Sequence, residues 1–177
     1  MTHSEIIILR LLASKDRYGY ELDRLIEENR MRSWADIGFS SIYHVLNKLE
    51  GKSLLSSYSV KEPGSPKRKM YSISEQGKTT LREEVLRMLE TPADFHDDFT
   101  VGLVSSDILG EGEFFHYLRG YRSHLEEKKR FYRQEIPQES RRKRRVAMAI
   151  DRFTKLIEAE IEWIDRQLAR QGEETSG

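Results

Sequence analysis

The stretch from Phe39 to Glu50 sets the tightest limits on what this chain can become. Ile42, Val45, Leu46 and Leu49 recur at helical spacing and form one apolar stripe. Ser40, His44, Asn47 and Lys48 fall on the opposite side, with Ser41 and Tyr43 on the flanks. One face must therefore be buried. The other offers hydroxyls, an imidazole, an amide and an ammonium, groups that reach base edges and phosphate oxygens in a DNA groove. Any surface helix has a polar face, so the residues after Glu50 decide between the two readings. Leu54 to Val60 has strand character, and residues 62–66 make a Pro- and Gly-containing turn. Lys67-Arg68-Lys69 is a basic cluster, and Met70 to Ile73 is a second strand. Helix, hairpin and basic tip outline a winged helix-turn-helix.

The flanking segments suit that outline. Ser4 to Ala13 is apolar around most of a helix and is expected to be buried on more than one side. Asp16 is a candidate N-cap for the next helix, which Tyr18-Gly19-Tyr20 opens and whose stripe is Leu22, Leu25 and Ile26. Gly19 permits close approach of another backbone. Met31 to Gly38 reads as a turn with Trp34 and Ile37 partly covered. Ser74 caps a further helix with Leu81, Val85, Leu86 and Leu89 as its stripe, ending near Thr91-Pro92. A domain boundary at about Pro92 divides the chain into residues 1–91, a winged helix-turn-helix DNA-binding domain, and residues 92–177, a helical domain.

The second half is helical throughout. Phe99 to Leu109 is one segment, broken by Gly110-Glu111-Gly112, and Glu113 to Ile136 is the next, with Phe114, Leu118, Tyr121, Leu125 and Tyr132 on one side. From Pro137 to about Gln171 the pattern is that of one long helix. Val146, Ile150, Phe153, Ile157, Ile161, Ile164 and Leu168 step by fours and threes, a seam of coiled-coil type. Its length of roughly 45–50 Å exceeds what so small a domain needs. Ile150, Phe153, Ile157, Ile161, Ile164 and Leu168 are therefore expected to bury against a second copy, making this a dimerisation domain. The expected fold is mainly α, a winged helix-turn-helix followed by an all-helical dimerisation domain.

Composition excludes more than it selects. Thirty Lys/Arg balance thirty Asp/Glu, so any DNA contact must come from a local patch. The absence of cysteine removes disulfides, thiolate catalysis and Cys-ligated zinc, and suits a reducing cytoplasm. No apolar run is long enough to span a bilayer, and no signal-peptide pattern opens the sequence. His96-Asp97-Asp98 holds metal-ligand types, but three consecutive residues on a helix cannot all face one ion, so no metal or cofactor is expected. No phosphate-binding glycine loop, Gly-x-Ser-x-Gly or acid–base pair marks an enzyme. Arg141-Arg142-Lys143-Arg144-Arg145 is the densest basic run and falls at a helix N-terminus, the unfavourable end for cations.

Three motifs in order carry a family resemblance over residues 6–81. Ile8-Leu9-Arg10-Leu11-Leu12 with Tyr18-Gly19-Tyr20-Glu21-Leu22 resembles the opening of PadR-like transcriptional regulators. Tyr43-x-x-Leu46-x-Lys48-Leu49-Glu50 resembles their recognition helix, and Lys69 to Gly77 their second wing strand and the helix after it. The helical tail resembles the larger subfamily with a C-terminal dimerisation domain. The sequence departs at Ser53, where the family usually has Gly two residues before Leu55, and at Val45, often a smaller residue. The resemblance implies a dimeric, DNA-binding repressor, of a kind that in some members a small molecule releases from DNA.

The expected function is thus a sequence-specific, DNA-binding transcriptional regulator, a cytoplasmic homodimer on double-stranded operator DNA. Ser40, Ser41, His44 and Asn47 would read bases; Tyr18, Tyr43, Lys48, Lys67, Arg68 and Lys69 would hold phosphates. Phe95, Phe99, Tyr117 and Tyr121, near the domain junction in sequence, are either plain helical core or the lining for an apolar or aromatic effector. The alternatives are a winged-helix protein–protein interaction module without DNA binding, which the basic wing argues against, and a helical enzyme.

Overall fold

The computed structural model describes residues 1–37, 42–61, 66–92 and 97–174, with side chains to Gln171. The chain forms two compact units, Met1–Ala93 and Asp94–Gly177.

The first unit begins with α1 (His3–Leu12). Thr2 Oγ1 accepts from the Glu5 amide at 3.3 Å, and Glu5 Oε2 accepts from the Thr2 amide at 2.9 Å, a capping box that starts the helix. Next come β1 (Arg17–Tyr18), α2 (Gly19–Glu28), a 3-10 turn (Met31–Ser33), α3 (Ile42–Gly51), β2 (Leu55–Val60), β3 (Arg68–Ile73) and α4 (Glu75–Glu90). The sheet is antiparallel in the order β1-β3-β2, with Tyr58 opposite Met70 and Tyr18 opposite Met70 on the other side. Ile8, Leu9, Leu22, Ile26, Leu46 and Leu49 are fully buried, so the stripes of α1, α2 and α3 meet in one core. Hydrophobic burial here fixes which face of α3 remains outside.

α3 ends in a Schellman motif. The Leu54 amide donates to the Leu49 carbonyl at 3.0 Å and the Ser53 amide to the Glu50 carbonyl at 2.9 Å. Ser53 sits at φ 58, in the left-handed region. That geometry explains the family's usual glycine there: a residue with a Cβ pays for this conformation. At the start of α4, Ser74 Oγ accepts from the Gly77 amide at 2.9 Å, as expected of the cap. Gly77 lies against the residue before β2; a Cβ there would fall 1.9 Å from the Leu54 carbonyl oxygen.

Three expectations are corrected in this unit. Asp16 does not cap α2. Arg17 and Tyr18 join the sheet first, so Tyr18 takes the cap position and its amide donates to Glu21 at 2.8 Å, while Asp16 accepts from the Tyr58 hydroxyl at 3.0 Å. β3 starts at Arg68 rather than Met70, which puts Arg68 and Lys69 on a strand. Of the α4 stripe, Leu81 packs on the core, whereas Val85, Leu86 and Leu89 are exposed, Leu89 at 75%.

The second unit contains α5 (Asp98–Val104), a 3-10 turn (Ser106–Ile108), α6 (Glu111–Gln134), α7 (Gln138–Arg141) and α8 (Arg144–Glu174). α6 and α8 pack antiparallel: Arg122 pairs with Asp165 at 2.5 Å, the Tyr121 hydroxyl donates to Glu160 at 2.9 Å, and Tyr132 stacks on Phe153 at 4.9 Å. Phe99 stacks on Tyr121 at 4.1 Å and meets Trp163 edge-on. Burial, with Glu160 beside it, pushes the Tyr121 hydroxyl pKa well up, so it stays protonated as a donor. One sequence expectation changes. The helix expected from Pro137 onward breaks at Arg142-Lys143, because Arg141 turns back to donate to the carbonyls of Ile136 at 2.8 Å and Tyr132 at 3.3 Å, closing the end of α6. The isoleucine seam packs on α6 of its own chain, and Ile157, Ile161 and Ile164 are buried there without a second copy. Ile150, Phe153 and Leu168 are partly buried against the same core. Among the described residues no helix is long and apolar enough to cross a membrane.

Candidate nucleic-acid interface

Burial of Ile42, Val45, Leu46 and Leu49 leaves Tyr43, His44, Asn47 and Lys48 on the open side of α3. The side chains of His44 and Asn47 are exposed and make no hydrogen bond within the described residues, so their donors and acceptors are available to a ligand. Ser40 and Ser41 lie outside the described residues, as does the wing turn at 62–65. Lys48 has a prior partner: the buried Glu5 carboxylate of α1 has Lys48 Nζ at 3.0 Å and Lys52 Nζ at 3.7 Å. Burial raises the Glu5 pKa, but the Thr2 amide and the two lysines outweigh it and hold the carboxyl below its ordinary range.

Beside α3 lies a cluster of rings and cations. Tyr18 and Tyr20 stack with centroids 5.5 Å apart, and the Arg68 guanidinium lies 5.6 Å over the Tyr20 ring. Lys69 pairs with Glu50 at the end of α3 at 2.7 Å and lies 5.1 Å over the Tyr71 ring. Lys69 first, then the Ser57 hydroxyl, holds the Glu50 carboxyl below its ordinary range, and Glu50 raises the Lys69 pKa in return. Lys69 is therefore a strut between wing and helix, while Arg68 and Lys67 remain exposed with no ion pair among the described residues. Tyr18, Gly19, Tyr20, Tyr43, Arg68, Lys69 and Tyr71 line a hollow of ≈ 440 Å³. Gly19 is what lets Tyr43 lie in it: a Cβ at Gly19 would come within 2.6 Å of Tyr43 Cε1. The close neighbour is thus a side chain of α3, not the backbone expected from sequence. Phenol hydroxyls and a guanidinium around an open hollow form a surface suited to phosphate oxygens.

Sequence reasoning missed Glu5, Gly19 as the seat of Tyr43, Tyr20 as the platform under Arg68, and Glu50 as the wing anchor. For Glu5 a signal existed, since Thr2 followed by Glu5 three residues on is a capping-box spacing. The others depend on contacts between elements. Asp97 of the His96-Asp97-Asp98 group caps α5, accepting from the Thr100 amide at 2.7 Å and the Thr100 hydroxyl at 3.0 Å; His96, like Phe95, lies outside the described residues.

Residues 8–83 match the model of the transcriptional regulator PadR-like family. A protein of Lysinibacillus sphaericus without an assigned function is 39% identical over 88 residues, which is 50% of this chain and 80% of that protein. Residues 8–83 are therefore a PadR-like domain. The chain's fold is shared along nearly its whole length with Bacillus subtilis PadR. In complex with operator DNA that protein superposes with TM-score 0.75 at 18% identity, covering 94% of this chain and 97% of that one. In complex with p-coumaric acid the TM-score is 0.79 at 17% identity, covering 94% and 96%. The PadR-like winged helix here therefore presents α3 and β3 as its open polar surface, and the helical unit after it is part of the same shared fold.

Proposed function

We propose that this PadR-like regulator is a cytoplasmic, dimeric repressor that binds double-stranded operator DNA in a sequence-specific manner. The observation that carries the reading is the pair of exposed side chains His44 and Asn47, which make no hydrogen bond among the described residues, on the polar face of α3 next to the Tyr18–Tyr20–Arg68 stack. In this reading residues 1–91 bind DNA and residues 92–177 dimerise. His44 and Asn47, with Ser40 and Ser41, read base edges. Tyr18, Tyr43, Lys67 and Arg68 hold phosphates, with Lys48 and Lys69 contributing charge from their ion pairs. A second copy covers the exposed face of Val101, Val104 and Ile108, and half-sites lie about 34 Å apart or at a multiple of that. Release by a small aromatic compound is supported by the shared fold with the p-coumaric acid complex of Bacillus subtilis PadR. A coupling of about 1–3 kcal/mol would weaken DNA binding about 5–150-fold.

Fluorescence anisotropy with the duplex upstream of the protein's own gene tests this. Wild type is expected to bind it over a scrambled duplex. Arg68→Ala should weaken both and lower the salt slope by about one unit, whereas Asn47→Ala should change base preference by about 1–3 kcal/mol. Equal binding to both duplexes by wild type would refute sequence-specific recognition. Titration with phenolic acids tests release, and a complex unaffected across such a panel would remove the effector from the scheme.

A further inference from the structure

The helical unit is electrically polarised. Residues 128–155 hold eleven Lys/Arg against three Asp/Glu, whereas the rest of the second half, 92–127 and 156–177, holds four against fourteen. Antiparallel packing makes this a spatial fact as well as a sequence one. The C-terminal turns of α6, all of α7 and the first turns of α8 come together at one end, where Arg133, Arg141 and Lys155 line a common hollow.

Some of these cations have structural partners. Lys129 pairs with Glu126, Arg133 and Lys155 with Glu158, and Arg141 closes α6. Arg142, Lys143, Arg144 and Arg145 do not: all four are exposed and make no ion pair among the described residues. Arg144 and Arg145 also begin α8, whose first turn contains no acidic residue. Cations there face the positive end of the helix dipole and one another, so the run opposes the helix that it starts. Such a placement is best explained by an anion from outside.

We propose that this basic pole binds backbone phosphates of duplex DNA outside the half-sites that α3 reads. The inference rests on the DNA-binding function proposed above. Seven of the eleven cations are arginines, whose planar fork matches phosphate oxygens. Once the winged unit is bound, tethering supplies the pole with duplex at high effective concentration, so individually weak contacts suffice. Among the described residues of 128–155 only Met148 is a large exposed hydrophobic, which argues against insertion into a lipid surface.

The test uses full-length protein with Arg142, Lys143, Arg144 and Arg145 all changed to Ala, leaving Arg141 in place as the α6 closure. Binding is measured by anisotropy on two duplexes, the minimal operator and the same operator extended on both sides. Thermal stability of the variant should equal or exceed that of wild type. On the extended duplex it should bind about ten-fold or more weakly at low salt, with a salt slope lower by about two units or more, and on the minimal duplex it should match wild type. Equal affinity and slope on the extended duplex would overturn the proposal while leaving the α3 reading intact. Wild type that binds neither duplex would remove both. Loss of binding to phosphatidylserine vesicles with DNA binding unchanged would assign the pole to a membrane surface instead.

Discussion

Ser53 bears a strain that its neighbours do not. Its left-handed backbone is required because the Schellman motif must turn the chain from α3 into β2 within the three residues Lys52–Leu54, with Leu49 and Leu54 both buried. Ser53→Gly should stabilise the protein by about 0.5–1 kcal/mol, read as a rise in denaturant midpoint at unchanged slope. Gly19 presents the opposite case. The atom that a new Cβ would meet is the far end of the exposed Tyr43 ring, which can swing away. Gly19→Ala is therefore expected to change stability by less than about 1 kcal/mol and yet weaken DNA binding, because Tyr43 leaves its seat. A variant that binds operator as well as wild type would show that the ring position does not matter.

Between elements, Glu5 ties α1 to the recognition helix. Its carboxylate is buried, satisfies the Thr2 amide and faces Lys48 and Lys52 of α3 and the turn after it. Glu5→Gln keeps the shape and removes the charge, and should cost about 1–3 kcal/mol at pH 7. The folded pKa lies below the ordinary 4.5, so this contribution is fully present above about pH 5 and is lost as pH falls through the folded value. Denaturation curves of the two proteins should therefore converge on acidification. A gap that stays constant down to about pH 3 would mean that the pair with Lys48 and Lys52 is not what Glu5 supplies. The wing is tied in the same manner through Lys69 and Glu50, so helix and wing present their polar faces as one surface.

For the whole molecule the proposed dimer raises the question of which apolar surface a second copy would cover. The seam of α8 is occupied by α6, while Val101, Val104 and Ile108 remain between 66% and 85% exposed. Two variants separate these surfaces. Val104→Asp should convert a dimer to a monomer in sedimentation with helix content and melting intact. Ile157→Asp should instead lower the melting temperature, because it buries a charge inside the α6–α8 pair. If Ile157→Asp merely dissociates the protein at unchanged stability, the seam is the dimer interface after all.

Features that depend on local periodicity and turn chemistry were legible in the residues alone. The stripes of α2 and α3, the cap at Ser74, the hairpin, the helical tail and the family motifs belong here, because each is written in residues a few positions apart. Apolar spacing also identified the buried face of α3, and with it the exposed identity of His44 and Asn47. Which partner each surface has was settled only by packing. Periodicity says that the α8 seam must be covered, but an α6 stripe in the same chain and a second copy satisfy it equally, and the folded chain shows α6 there. The same holds for Lys48 and Lys69, which look like free cations in a basic stretch and are held by Glu5 and Glu50 across the fold. It holds too for Gly19, whose requirement comes from the ring of Tyr43 on another helix. Local order is encoded in spacing, whereas pairing is a competition among distant groups for burial and charge, and only the folded chain resolves that competition.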